Sequence, residues 1–166
     1  MSHLEHIQSK ILSRNDLARW AEDRHQAGDK VVFTNGCFDL LHRGHVDYLS
    51  KAADLGDVLI IGVNADASVS RLKGEHRPLQ DEASRAEILA ALSFVSAVVI
   101  FEEDTPLNLI QTVKPDVLVK GGDYTIDTVV GATEVMKAGG HVELIPFLEG
   151  YSTTGIEQKI LKESKN

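Results

Sequence analysis

Five short runs of apolar residues, rich in valine and isoleucine, punctuate the chain: KVVFTN, DVLIIGV, AVVIF, DVLVKGG and HVELIPF. The runs are continuous rather than alternating, as strands buried on both faces require, because a strand with one wet face shows apolar and polar residues in turn. Between them lie RGHVDYLSKAADLG, DEASRAEILAALSF, TPLNLIQTVK and TVVGATEVMKAGG, each with apolar residues spaced by three and four. That spacing predicts crossover helices, ending at Gly56, at Gly139 and Gly140, and before Pro115. Strand, helix, strand in repetition predicts an α/β fold, an open doubly wound parallel sheet of about five strands with right-handed crossovers, Rossmann-like in outline. Ligands of such sheets sit beyond the carboxyl ends of the strands, where the strand order reverses. NGCFD, VNAD and KGGDY each follow a predicted strand, so they are expected to converge on one rim.

A chain of 166 residues, 43% hydrophobic and 25% charged, is long enough for one core and too short for two ordinary domains. We read residues 1–29 as an N-terminal helical arm around Leu12, Leu17 and Trp20, and residues 30–166 as the main domain. Ser70 to Gln80, SRLKGEHRPLQ, reads as an exposed irregular loop broken by Gly74 and Pro78. The tail YSTTGIEQKILKES reads as a loop entering a last helix, with Ser152 to Thr154 as N-cap candidates. A formal charge of -8 argues against nucleic acid or an anionic membrane surface as partner, so any bound phosphate must be held by local groups. No run approaches the roughly 18 apolar residues of a membrane span, and the charged N-terminal stretch holds no secretory signal. A cytoplasmic location is expected, in keeping with a lone cysteine, Cys37, that has no partner for an internal disulfide.

The stretch NGCFDLLHRGH, Asn35 to His45, joins the first strand to the first crossover helix. His42 and His45, three apart, share a face of the helix's exposed first turn. A helix N-terminus offers unpaired N–H groups and partial positive charge, and Gly36 and Gly44 let backbone approach an anion closely. Phosphate binding fits this pattern. Simple capping or solvated histidines fit it too, and a zinc site fits less well for want of further ligands. Neither G-x-G-x-x-G after the first strand nor G-x-x-x-x-G-K-[ST] is present, which disfavours a dinucleotide-binding domain and a P-loop.

GCFDLLHRGH resembles the G-x-F-D-x-x-H-x-G-H signature of the cytidylyltransferase-like nucleotidyltransferases, whose H-x-G-H element binds a nucleoside triphosphate. The likeness runs on through VNADASVSRLKGEHRPL, KPDVLVKGGDY and YSTTGIEQKI and covers most of the chain from near Lys10 onward. Within that family the chain is similar to the adenylyltransferases that make ADP-heptose from D-glycero-β-D-manno-heptose 1-phosphate for the lipopolysaccharide core. In many bacteria that activity is fused to a sugar kinase, for which this chain has no room, so a stand-alone form is expected.

The resemblance implies that a sugar phosphate oxygen attacks the α-phosphorus of ATP and pyrophosphate leaves. Such an acceptor is already an anion, so charge compensation and alignment are what the protein must supply. By resemblance, His42, His45 and Lys73 are catalytic, the histidines donating to phosphate oxygens. The nucleotide would be held by Asn35, Gly36, Cys37, Phe38, Gly44, Lys120, Gly122, Asp123, Ser152, Thr153, Thr154 and Lys159. Asp39, Asp66, Arg77, Arg85 and Tyr124 are candidate substrate contacts, and Asp39 or Asp66 would alternatively position magnesium. The Mg²⁺ that accompanies ATP needs no protein metal site, since the triphosphate and water hold it. Expected partners are ATP and a sugar 1-phosphate, with a homodimer such as relatives commonly form.

Single residues keep other readings. Lys73 also reads as a solvated loop lysine, Arg77 and Arg85 as surface ion pairs, KGGDY as a plain β-turn, and Ser152 or Thr153 as simple caps. Cys37 reads as a small buried residue rather than a nucleophile. Two positions depart from the family pattern: Gly155 stands where a polar residue such as Asn is common, and Glu157 where an apolar one is usual. A glycerol-3-phosphate cytidylyltransferase and a noncatalytic nucleotide-binding module are the competing functions. Retention of His42, His45, Lys73 and the Ser152 to Thr154 cluster argues against the second.

Overall fold

The computed structural model describes residues 1–164. Five strands form one parallel sheet: β1 (Val31–Gly36), β2 (Val58–Asn64), β3 (Ala97–Phe101), β4 (Val117–Gly121) and β5 (His141–Ile145), in the order β3-β2-β1-β4-β5. All five lie where the apolar runs predict. Phe33 at the centre pairs with Ile60 on one side and Leu118 on the other. The chain builds outward from β1 to β3, then returns to start β4 on β1's other flank. Loops leaving β1 and β4 therefore diverge, and a crevice opens between them at the carboxyl ends.

Alternation along each strand feeds two cores. Val32, Leu59, Ile61, Val98, Val117 and Val119 meet one set of helices, whereas Val31, Phe33, Ile60, Val99 and Leu118 meet the other. The first face is covered by α3 (Arg43–Ala53) and α5 (Glu82–Ala90), which contribute Leu49, Ala52, Ala86 and Leu89. The second is covered by α2 (Arg14–Gln26), α6 (Leu107–Val113) and α7 (Ala132–Lys137), through Leu17, Ile110 and Val135. Each fully buried aliphatic side chain stabilises the fold by about 1.5–3 kcal/mol, so the strand ends that carry the rim are held on a rigid base.

Residues 1–29 do not project from the domain. The first helix, α1 (His3–Ser9), carries a capping box between Ser2 and Glu5, and Ser13 caps α2. The link between them pairs with the sheet edge: Leu12 N–H donates to Val98 O at 2.8 Å, and Val98 N–H donates to Lys10 O at 2.8 Å. This short pairing covers part of an edge strand that would otherwise offer free backbone groups. Leu17 is completely buried and Trp20 packs against the same cluster.

The expected loop at Ser70 to Gln80 is partly helical. A short helix, α4 (Asp66–Lys73), follows β2, and Gly74 at φ +102° stops it. Acidic Asp66 in its first turn and basic Arg71 and Lys73 in its last suit the helix dipole. Gly56 also differs from its expected role, since α3 ends at Ala53 and a Cβ on Gly56 would stand 2.5 Å from Lys30 O. Close approach to β1, rather than helix termination, requires that glycine. The last helix, α8 (Thr153–Glu163), starts at Ser152, whose Oγ accepts from Gly155 N–H at 3.0 Å. Among the described residues no helix is long and apolar enough to cross a membrane.

Candidate active site

The spacing of His42 and His45 has a local structural cause. His42 is the N-cap of α3, and the backbone N–H of His42 donates to His45 Nδ1 at 3.3 Å, with His45 in the position that Glu or Gln occupies in an ordinary capping box. Because Nδ1 accepts, the neutral ring carries its proton on Nε2, which makes it a donor. The two rings stack at 3.8 Å, and Phe38 meets His45 edge-on at 5.4 Å. Burial, with the neighbouring His42 adding to it and the Leu40 carbonyl opposing it, lowers the His45 pKa to about 4. At neutral pH His45 is therefore a neutral, preoriented donor.

That depression carries a sign for stability. Between about pH 6.5, the ordinary histidine value, and pH 4 the unfolded chain binds a proton at this position that the folded chain does not, so acid favours unfolding. Lowering pH through this window is expected to reduce the urea midpoint. The loss should be shallower in His45→Asn, which has no ionisable group here; an identical pH profile would contradict the assignment.

The turn after β1 is tightly wound. Phe38 sits at φ +49°, a left-handed conformation costing about 1 kcal/mol or more for a bulky residue, and its ring lies where a Cβ on Gly36 would come within 3.0 Å. Asp39 compensates. Its nearly buried carboxylate accepts from Leu79 N–H at 2.8 Å, from Gln80 N–H at 2.9 Å, and from Arg77 at 3.0 Å. Burial opposes ionisation, but these donors together hold the carboxyl below its ordinary range. Arg77 reaches on with its other amino group to Glu157 Oε2 at 2.7 Å.

Arg85 is 1% exposed and works behind the rim. Its guanidinium donates to Cys37 O at 2.6 Å, to Gln80 O at 2.9 Å and to Asp66 Oδ1 at 2.8 Å. Neither Arg85 nor Asp66, both expected as substrate contacts, lines the cleft, and the two are paired with each other. Both Asp39 oxygens accept from Leu79, Gln80 and Arg77, and Asp66 gives one oxygen, Oδ1, to Arg85. No cluster of three or more His, Cys, Asp or Glu side chains suited to a metal occurs among the described residues.

The rim encloses a cleft of about 760 Å³. It brings together Asn35, Gly36, Cys37, Phe38, Asp39, His45, Lys73, Arg77, Lys120, Tyr124, Thr153 and Thr154 from the sequence-derived candidates. His42, Gly44, Gly122, Asp123, Ser152 and Lys159 fall outside this lining. His42 stands behind His45, and Ser152 spends its hydroxyl on the cap of α8. A Cβ on Gly44 would come 2.9 Å from the His42 ring, so this glycine makes room for a histidine rather than a ligand. Gly122 adopts φ +96° and Phe147 packs against it.

Cations gather on the walls. Lys120 lies 5.3 Å above the Tyr124 ring, and burial pulls its ammonium below the ordinary lysine range, with Lys73 adding repulsion and Cys37 acting the other way. An incoming anion would reverse that penalty. Burial pushes the Cys37 thiol up, only partly offset by Lys73 and Arg85, so it is not an activated nucleophile. The first-turn amides of Thr153 and Thr154 have no helical partner by position, which adds N–H donors to the cationic wall. Sequence reasoning missed Tyr48, whose hydroxyl bonds Thr34 at 2.6 Å and whose burial, partly countered by that bond, pushes its pKa to about 12. It also missed Asp104 to Pro106, Val129 and Val130, which line the same cleft. The signal was available, since Asp104 to Pro106 follow β3 as NGCFD follows β1.

A family model described as Cytidylyltransferase-like matches residues 33–160. The chain belongs to this family. The bifunctional protein HldE of Geobacter metallireducens is 61% identical over 154 residues, 93% of this chain and 31% of that protein. HldE of Geobacter sulfurreducens is 63% identical over 135 residues, 81% of this chain and 28% of that protein. The chain thus spans less than a third of the length of these relatives. Among solved structures, a lipopolysaccharide core biosynthesis protein from Thermoplasma volcanium matches with a TM-score of 0.61 at 31% identity, over 75% of this chain and 100% of that one. A pantoate-beta-alanine ligase from Francisella tularensis matches with a TM-score of 0.57 at 17% identity, over 94% of this chain and 79% of that one, and shares the fold alone.

Proposed function

We propose that this chain is an adenylyltransferase that transfers AMP from ATP to D-glycero-β-D-manno-heptose 1-phosphate, releasing pyrophosphate and forming ADP-heptose for the lipopolysaccharide core. The observation that carries it is the convergence of the His45 imidazole, the ammonium groups of Lys73 and Lys120 and the first turn of α8 on one cleft at the strand ends. Relatives named HldE and a lipopolysaccharide core biosynthesis protein support the choice of sugar.

The chemistry follows from charge. A phosphate oxygen of the acceptor attacks the α-phosphorus, a new P–O bond forms, and the bond to the bridging oxygen of pyrophosphate breaks. The acceptor is already an anion, so no side chain need remove a proton. His45 donates through Nε2 to a phosphate oxygen, while Lys120, Lys73 and the amides of Thr153 and Thr154 offset charge that builds on the leaving group. Mg²⁺ would enter on the triphosphate and supply further charge compensation there. We place the enzyme in the cytoplasm, where ATP is made available, and as a homodimer; light scattering at the mass of one chain would count against the dimer.

Lys120→Met is expected to weaken ATP binding by about tenfold or more, the value of one charge-assisted contact, as read by calorimetry. Unchanged affinity would remove Lys120 from the phosphate wall. The assignment as a whole is tested by pyrophosphate release with ATP or CTP against heptose 1-phosphate and glycerol 3-phosphate. Release with ATP and the heptose phosphate is expected; exclusive use of CTP would reject the assignment.

A further inference from the structure

Helix α8 is attached to the domain in an unusual way. A surface helix ordinarily turns an apolar stripe inward, but α8 has no buried residue, and Ile160 and Leu161 are more than half exposed. Within Thr153–Glu163 Thr153 and Glu157 are half-buried, and Ile156, at 37% exposed, is the most covered of the apolar residues. Thr153 and Glu157 stand four apart, on one face, and both reach the body through polar contacts. Thr153 Oγ1 donates to Leu40 O at 3.4 Å, a long bond, and Glu157 accepts from Arg77 at 2.7 Å. Just before the helix, Arg43 donates to the Tyr151 hydroxyl at 3.1 Å.

The Glu157 contact is the one with depth behind it. Arg77 is also bonded to Asp39, which is 5% exposed and itself grips the Leu79 and Gln80 amides. A chain of charge-assisted bonds thus runs from the turn after β1, through the loop after α4, into α8. The Glu157 carboxylate thus gives α8 a polar attachment to the body of the domain.

We propose that Glu157 is a positioning residue: through Arg77 and Asp39 it seats the first turn of α8 over the cleft, and so sets where Thr153 and Thr154 meet the triphosphate. This rests on the proposed use of that turn in nucleotide binding. Glu157 touches no substrate in this role. A carboxylate one turn from a triphosphate repels it, and the Arg77 guanidinium, which Glu157 shares with Asp39, offsets part of that repulsion.

The test compares the whole chain with Glu157→Gln, which keeps an acceptor oxygen, and Glu157→Lys, which reverses the charge. Hydrogen exchange of the α8 amides without nucleotide is expected to speed up about fivefold in Glu157→Gln and more in Glu157→Lys, because a partly exposed pair contributes modestly. High salt should move the parent toward Glu157→Gln. ATP affinity by calorimetry should fall in the same order, while the urea midpoint and the KM of the sugar phosphate stay put. Parent-like α8 exchange in Glu157→Lys would overturn the proposal. So would tighter ATP binding by Glu157→Gln with unchanged exchange, which would make Glu157 an electrostatic brake. A parent chain that binds no ATP would sink the functional assignment and with it the nucleotide half of this proposal; a parent that binds ATP beside an indistinguishable Glu157→Lys sinks the anchor alone.

Discussion

Replacing His45 with alanine is expected to lower kcat by about 100-fold or more, with a smaller change in the KM for ATP, the effect of removing one preoriented donor to charge that develops in the transition state. Three observations make the donor preoriented: Nδ1 is tied to the His42 amide, the ring is stacked on His42, and Phe38 meets its edge. Little reorganisation is needed when the α-phosphorus is attacked. His42→Ala should do less, because that ring lies behind His45 and outside the cleft lining. Single-turnover pyrophosphate release on folded variants would check both. Near-parent turnover by His45→Ala would remove the histidine from the chemistry, and a larger loss in His42→Ala than in His45→Ala would reverse the roles assigned here.

Arg85→Ala is expected to destabilise the fold by about 3 kcal/mol or more, read as a lower urea midpoint. The guanidinium is almost completely buried and donates to Cys37 O, Gln80 O and Asp66 Oδ1, in three different segments. Removing it leaves two carbonyls without their donor and the Asp66 carboxylate without its partner. Arg85→Lys should recover only part of the loss, since one ammonium does not match three acceptors set around a planar fork. Because Cys37 belongs to the strained turn that carries Phe38, turnover should fall as well, even though Arg85 does not line the cleft. A midpoint within experimental error of the parent would show that the three bonds are dispensable.

The strands were legible because their burial on both faces leaves continuous Val and Ile runs that few other environments tolerate. The H-x-x-H turn was legible for a related reason. A strand end, a glycine and a helix start occur together only where the chain must turn sharply, and the family signature named its chemistry. What stayed hidden is long-range pairing. Nothing local shows that Arg77 meets both Asp39 and Glu157, or that Arg85 meets Cys37 and Asp66; the partners are distant in sequence and any carboxylate in the chain competes equally on composition. Helix α4 was missed because eight residues with one buried apolar side chain, Val69, give almost no periodic signal. Glu157 stood out in the sequence only as a departure, and its reason needed the fold. Gly56 shows the reverse case, a correct flag with a different cause, since its missing Cβ makes way for the Lys30 carbonyl.

The most direct test of the central claim is a crystal structure with a nonhydrolysable ATP analogue and Mg²⁺. The triphosphate should lie between His45 Nε2, the Lys120 ammonium and the amides of Thr153 and Thr154, with its α-phosphorus within reach of His45. A triphosphate bound away from His45 and the first turn of α8 would contradict it.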